Sequence, residues 1–402
     1  MNKVYILAAK RTAVGAMHGT LRDQDLGEVA GQVIRQLLID AHIKGENVNE
    51  VMMGNILSAG LGPNIGRQAC LKAGLPVEVP AYSLNMLCGS GMKAVMNAYL
   101  SINGGMNDVI VAGGIEGMSK SPYLLDGAVK NGHKMGNHPL EDHMLKDALI
   151  DPFYNYHMGV TAENVGDKHN ISRQAQDEFA LESQKRASEA QKAGYFDDEI
   201  VPIEIKTRKG TSVFDKDEYI KHDATIESLN KLKPAFKKDG SVTAGNASGI
   251  NDAVSACIVA SEKFVNENDI KPLVEIVSMG QGGVDPSVMG LGPVPAIRQA
   301  LKNANLKLSD IDAIELNEAF AAQSLGVLTE LAEEHGLSME DLLERTNKYG
   351  GAIAIGHPIG ASGNRIIVTL INIMKKNNYK YGLASLCIGG GMGTAIIIKN
   401  VE

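Results

Sequence analysis

The chain has 402 residues and a formal charge of −8, from 39 Lys and Arg against 47 Asp and Glu. With 44% hydrophobic and 21% charged residues it reads as globular rather than disordered, and its acidic balance argues against a nucleic-acid coat or a basic membrane-surface protein. The length exceeds one ordinary core and predicts two or three units, and 44 glycines beside 4% aromatics predict many close backbone approaches, as in α/β enzymes.

Residues 4–9 read as a buried strand. Leu26, Val29, Ala30, Val33, Ile34, Leu37, Leu38 and Ala41 then share one helical face, with Asp25 and Glu28 placed to cap its start. Residues 50–53 predict a short strand. Residues 81–87 predict another, running directly into Cys88-Gly89-Ser90-Gly91. Met92, Val95, Met96 and Tyr99 mark a helix that stops at Asn103-Gly104-Gly105, and residues 108–112 are the next strand. The last third has the same order. A helix carrying Ala296, Ile297, Ala300, Leu301 and Ala304 begins at Pro295. Strand 313–316 ends at Asn317-Glu318. The Gly-rich run 350–363 holds His357 at the corresponding strand-to-helix turn, and a helix follows through Ile366, Ile367, Leu370, Ile371 and Met374. Strand 383–387 ends at a glycine run, and strand 394–399 closes the chain.

This order is an internal duplication in which Cys88 and His357 occupy matching slots. The second half sets strands 387 and 394 almost in succession. In the first half the matching second strand, 253–260, comes only after residues 120–249. That insertion reads as a lid or substrate domain with one clear helix from Ser172 to about Ala193, ended by Gly194.

Cys88, between a strand and a glycine-led helix, has N–H groups and partial positive charge aimed at its sulfur, which favours the nucleophilic thiolate. Gly89 and Gly91 would let a substrate approach the backbone. The alternative is a small buried hydrophobe. His357 is the natural proton partner for a thiol, or else a turn residue without a task. Cys387 precedes Gly389-Gly390-Gly391, whose bare N–H groups can hold an oxyanion or simply turn a hairpin. Asn317 can orient a water or cap the next helix. His133, His138 and His143 have no one-face helical spacing and no cysteine beside them, so no metal site is expected. Met86, Met92 and Met96 read as core. No Gly-x-Gly-x-x-Gly follows the first strand and no Gly-Lys-Ser/Thr loop exists, which disfavours a dinucleotide or P-loop site. Cys70, Cys88, Cys257 and Cys387 form no C-x-x-C pair, the N-terminal apolar run is too short for a signal peptide, and no run of about 18 apolar residues occurs. A cytoplasmic protein is expected.

Nine segments now spell a pattern: Lys10-Arg11-Thr12, Asn85-x-x-Cys88-Gly-Ser-Gly, Gly113-Gly114-x-Glu116-x-Met118-Ser119, His157-Met158-Gly159-x-x-Ala162-Glu163-Asn164, Gly245-Asn246-Ala247-Ser248-Gly249-x-Asn251-Asp252, Met289-Gly-x-Gly-Pro293, Asn317-Glu318-Ala319-Phe320, the His357 block, and Cys387-x-Gly-Gly-Gly-Met-Gly393-Thr394. In this order, nearly end to end, they resemble the thiolases, specifically the short-chain acetyl-CoA acetyltransferases. The resemblance implies an α/β fold of two similar halves in five αβαβα layers with an inserted loop domain. The halves would be 1–119 plus 250–271 and 272–402, and the loop domain 120–249 would bind coenzyme A and make tetramer contacts. It implies that Cys88 accepts the acyl group, His357 takes its proton, and Cys387 moves the α-proton of a second acyl-CoA. Asn317, through a water, with His357 would form one oxyanion hole, and the N–H groups of Cys88 and Gly389 the other. It assigns coenzyme A to Leu149, His157, Met158, Gln184, Lys221, Ser228, Phe236, Ala244, Ser248, Ala319 and Phe320. Many relatives carry Arg where Lys221 stands, and Lys keeps the charge without the planar stacking face. His157-Met158 and the short loop before it favour a small acyl group. The implied partners are acetyl-CoA, acetoacetyl-CoA and CoA, as substrate and product rather than as a tightly bound cofactor, and a second copy of the chain in a homotetramer. A longer-chain 3-ketoacyl-CoA thiolase and a non-catalytic acyl-CoA-binding scaffold are the alternatives. Two thiols brought to one site could also be oxidised to a disulfide.

Overall fold

The structure, a computed structural model, describes residues 3–207 and 210–401. The first strand is Val4–Arg11 (β1), and helix α1 (Leu26–Asp40) follows, its first turn capped by the Asp25 carboxylate, which accepts from the Glu28 N–H. Strands Glu50–Gly54 (β2), Ala81–Leu84 (β3) and Val109–Gly117 (β4) run parallel, with helix Ser90–Asn103 (α2) crossing from β3 to β4. The apolar run 81–87 predicts a longer β3. It stops at Leu84 because the next residues form a turn, with Leu87 in the left-handed region at φ 46°.

Besides a short helix at Ile226–Asn230, the insertion holds two longer helices where the sequence reading found one. Arg173–Lys192 (α4) is the expected helix, capped by Ser172. Met158–His169 (α3) precedes it, and its buried face is built largely of glycine, threonine and alanine, so hydrophobic periodicity did not reveal it. Arg11, from the first of the nine segments, is buried and paired with Glu199 and Asp217, which ties the insertion to β1.

The chain returns through Asn251–Ser261 (β5) and enters the second half at Val274–Gly283 (β6). Helix Pro293–Ala304 (α5) starts two residues before the predicted Pro295, with Pro293 in its first turn. Then come Ala313–Leu316 (β7), Ala321–His335 (α6), Ile359–Asn377 (α7), Tyr381–Ile388 (β8) and Met392–Asn400 (β9).

Nine strands follow the order β7-β8-β9-β6-β1-β5-β4-β2-β3. From the centre outward each half repeats one scheme, antiparallel, antiparallel, then parallel: β1-β5-β4-β2 in the first and β6-β9-β8-β7 in the second. The halves meet where Tyr5 and Ile6 of β1 face Glu275 and Val274 of β6. Helices α2 and α7 pack together between the halves, α7 buried on every side from Ile359 to Met374, while α1 and α5 cover the outer faces. The result is the five-layer αβαβα arrangement.

One symmetry expectation fails. Where the first half has β3, the second has a single helical turn, Ala352–Ile355, so His357 lies between two helices and not after a strand. The slot still matches at the helix: Cys88 stands just before α2 and His357 just before α7.

Candidate active site

The turn before α2 holds Cys88 firmly. Leu87 N–H donates to Asn85 Oδ1 at 2.9 Å, Met86 N–H to Ser90 Oγ at 2.8 Å, and Ser90 Oγ in turn to the Leu87 carbonyl at 2.7 Å. These bonds hold Leu87 in a backbone region that L-residues disfavour. The adjoining glycines make room for the other half of the molecule. A Cβ on Gly89 would lie 2.3 Å from Ile388 Cδ1, and one on Gly91 2.9 Å from the Gly360 carbonyl oxygen. Small residues here let the end of β8 and the start of α7 close on the cysteine.

That closure brings Cys387 and Gly389 to Cys88. The Gly389 N–H and the Cys88 N–H both point at the Cys88 sulfur, and each favours its anion. Burial outweighs them and pushes the thiol up to about 11, the reverse of the thiolate expected from a helix N-terminus. Burial raises Cys387 further, with the neighbouring Cys88 adding to it. All four cysteines are free thiols. Gly390 and Gly391, at φ 81° and 83°, turn the β8–β9 hairpin, so the glycine run both turns the chain and presents an N–H.

His357 is buried. Its Nδ1 is 2.6 Å from Ser362 Oγ, and that hydroxyl donates to the Pro358 carbonyl at 2.9 Å. A hydroxyl with its one hydrogen committed accepts from Nδ1–H, which leaves the Nε2 lone pair free. Asn317 Nδ2 lies 3.5 Å from Nε2, as suits an acceptor there. Burial, reinforced by Arg365, lowers the imidazole to about 3, so it is neutral at rest and only weakly basic, with Nε2 left open to a proton. Asn317 does not cap the next helix; α6 begins after Phe320 without a side-chain cap.

Cys88, His357, Cys387 and Gly389 line one cavity of about 520 Å³. Leu149, His157, Met158, Lys221, Phe236, Ala244, Ser248, Ala319 and Phe320 line it too. The His157 ring stacks on Phe236 at 4.5 Å between centroids, and its Nδ1 accepts from the Gly159 N–H at the start of α3. Three expected residues, buried Asn317 among them, stand apart from the cavity wall. Gln184 is buried behind it, accepting from the Lys221 N–H at 2.8 Å, and Ser228 is exposed, its hydroxyl donating to the Thr225 carbonyl. His133 and His138 do meet, with ring centroids 3.8 Å apart, but His143 pairs with Asp147, and among the described residues no group of three metal-ligating side chains forms. Met92 and Met96 are core, as expected, and Met86 is partly buried against it.

Residues 4–263 match the family model "Thiolase, N-terminal domain", and residues 270–400 match "Thiolase, C-terminal domain". The chain belongs to the thiolase family. An acetyl-CoA acetyltransferase of Chromobacterium violaceum is 50% identical to this thiolase over 99% of both chains. A crystal structure of the Bacillus anthracis acetyl-CoA acetyltransferase superposes with a TM-score of 0.95 at 42% identity, covering 100% of this chain and 99% of that one. The human mitochondrial 3-ketoacyl-CoA thiolase in complex with CoA gives 0.93 at 42%, covering 100% and 98%. The chain is thus an acyl-transferring enzyme. Among the described residues no helix is long and apolar enough to cross a membrane.

Sequence reasoning missed several residues that line this cavity. Met118, Ile250, Met289 and Ile359 line the cavity, and all stand inside or beside the nine segments. Tyr219 lines it from the polar stretch of the insertion, where no pattern signals it. Ser362 was visible only as part of the Gly-rich block; its tie to Nδ1 is a one-turn contact that a helix starting at Ile359 creates.

Proposed function

We propose that the chain is an acetyl-CoA acetyltransferase, joining two acetyl-CoA to acetoacetyl-CoA and CoA and running the reverse cleavage, through an acetyl-cysteine. The observation that carries this reading is the meeting of two thiols, a neutral imidazole and the Gly389 N–H at one apolar cavity. His357 Nε2 takes the Cys88 proton as the sulfur attacks the thioester carbonyl. The carbonyl carbon–sulfur bond to CoA breaks, and the Cys387 thiol gives its proton to the departing CoA sulfur, which leaves Cys387 as the thiolate. Acetyl-CoA then binds again, the Cys387 thiolate removes a proton from its methyl carbon, and that carbon attacks the acetyl group on Cys88, releasing the Cys88 sulfur, which recovers its proton from His357. The raised Cys387 suits this step: a thiol that holds its proton tightly becomes, once ionised, a stronger base toward carbon.

A thioester α-proton is so weakly acidic that the enolate needs donors of its own, worth several kcal/mol as an order of magnitude. Asn317, acting through a water, and His357 would supply one such set, a reading supported by the approach of the Asn317 amide to His357 Nε2. The Cys88 and Gly389 N–H groups, which meet the resting sulfur, are placed for the oxygen of the acyl intermediate. The aromatic and alanine walls suit pantetheine, with Lys221 at the exposed end, and coenzyme A enters and leaves as part of substrate and product. The exposed apolar side chains of Tyr123, Leu125, Met135 and Leu140 support assembly with further copies of the chain as a tetramer. We also assign residues 120–249 as the coenzyme A-binding loop domain between halves 1–119 plus 250–271 and 272–402, and place the enzyme in the cytoplasm.

The test is acetoacetyl-CoA cleavage by the parent and by Cys88→Ser. The variant is expected to fall by at least about 10³-fold and to take no acetyl label at residue 88. Because human 3-ketoacyl-CoA thiolase structures are as similar as the acetyltransferase structure, rates on a C8 3-ketoacyl-CoA belong in the same assay. Preference for the longer chain would make the enzyme a fatty-acid thiolase.

A further inference from the structure

Helix α7 starts without a cap of its own. Pro358 occupies the cap position and offers no side-chain acceptor, so the first N–H groups of the helix must find partners elsewhere. The Gly360 N–H finds one in the other half of the molecule: it donates to Glu116 Oε2 at 2.9 Å. Glu116 is buried near the end of β4. Oε2 also accepts from the Ile56 N–H at 3.2 Å, and Oε1 accepts from the Leu57 N–H and from Asn55 Nδ2, both at 3.2 Å. Four donors on two segments thus converge on one carboxylate.

Shape supports the same contact. A Cβ on Gly114 would lie 2.0 Å from the Gly360 carbonyl oxygen, and one on Gly360 2.7 Å from Glu116 Oε2. The two backbones fit only because both residues are glycine. A second tether from the first half reaches the same turn: the His357 N–H donates to Asn251 Oδ1 at 3.0 Å. His357 belongs to the second half, yet both groups that fix its backbone and its helix belong to the half that carries Cys88.

We infer that Glu116 is a positioning residue for the reaction, acting through the start of α7 to hold His357 at the cavity it shares with Cys88. This rests on the reading of His357 as the base that activates Cys88. A carboxylate suits the place because it only accepts. A glutamine of the same shape would present an NH₂ to one pair of N–H donors and leave them unpaired, which releases either the Gly360 edge or the turn at residues 55–57.

The experiment is a double-mutant cycle on single-turnover acetylation of Cys88 by labelled acetyl-CoA, in parent, E116Q, H357A and E116Q/H357A, each with its KM and melting temperature. E116Q is expected to slow acetylation about ten- to a hundredfold with KM nearly unchanged. H357A is expected to be slower still, and the double variant no slower than H357A. Losses that multiply, or E116Q acetylating at the parental rate, overturn the inference. Undiminished acetylation in H357A overturns instead the reading of His357 beneath it. Should E116Q not fold, Glu116→Asp keeps the charge with one methylene fewer and must give the same non-additive pattern; additive losses there count equally against the inference.

Discussion

A histidine in water titrates near pH 6.5, but His357, enclosed by protein and influenced by Arg365, does so only at about 3. The same burial that keeps it neutral has a cost in acid. Below pH 6.5 the unfolded chain binds a proton that the native state refuses, so the stability present above 6.5 is lost progressively as pH falls toward 3. In urea titrations, His357→Asn, which has no such group, is expected to gain ~2 kcal/mol relative to the parent between pH 7 and pH 5. A difference that stays constant over this range would mean that protons reach the imidazole without unfolding. Cys88 shows the same competition between local and global fields. Two N–H groups favour its thiolate, yet burial raises the thiol to about 11, so the proposed reaction needs its ionisation coupled to His357 and to the arrival of substrate.

At the scale of elements, the site depends on how closely the end of β8 approaches the turn before α2. The gap is one methyl group wide at Gly89, where an added Cβ would meet Ile388 Cδ1 at 2.3 Å. Gly89→Ala is therefore expected to displace Ile388 and with it Cys387 and Gly389. The cost is about 1–3 kcal/mol of stability and about a hundredfold in thiolysis. Ile388→Val removes the Cδ1 atom in question, so the double variant G89A/I388V should recover most of the lost rate. If I388V restores nothing, the glycine serves another purpose, such as room for substrate.

At the scale of the whole molecule, the exposed apolar side chains of Tyr123, Leu125, Met135, Leu140 and Leu145 lie on or beside the segment that pairs Tyr123–Leu125 with Leu140–Asp142. Such a patch on a small hairpin is costly in water unless another surface covers it. Light scattering on the parent should give four chains per particle. Leu125→Asp with Leu140→Asp should yield a smaller assembly that still melts cooperatively, since neither side chain supports the core. A parent of one chain per particle would remove the basis for assigning this hairpin to assembly.

Periodicity and composition determined much in advance. The 3.6-residue spacing through Leu26, Val29, Val33 and Leu37 and the cap at Asp25 need no distant partner, and the apolar runs at β1, β4 and β8 are long enough to declare themselves. The repeated order of elements made Cys88 and His357 counterparts, and the nine segments named the family. Other features were closed to it. Residues 352–355 are as apolar as a strand but form a helical turn, because no neighbouring strand receives them and Glu318 instead accepts from the Ile353 N–H. Helix α3 hides its periodicity behind small residues. The protonation of Cys88 and His357 depends on burial that many segments impose together, and the grip of Glu116 on Gly360 joins positions 244 residues apart. Local chemistry is written in local sequence; electrostatic fields and contacts between distant segments come into being only when the chain closes on itself.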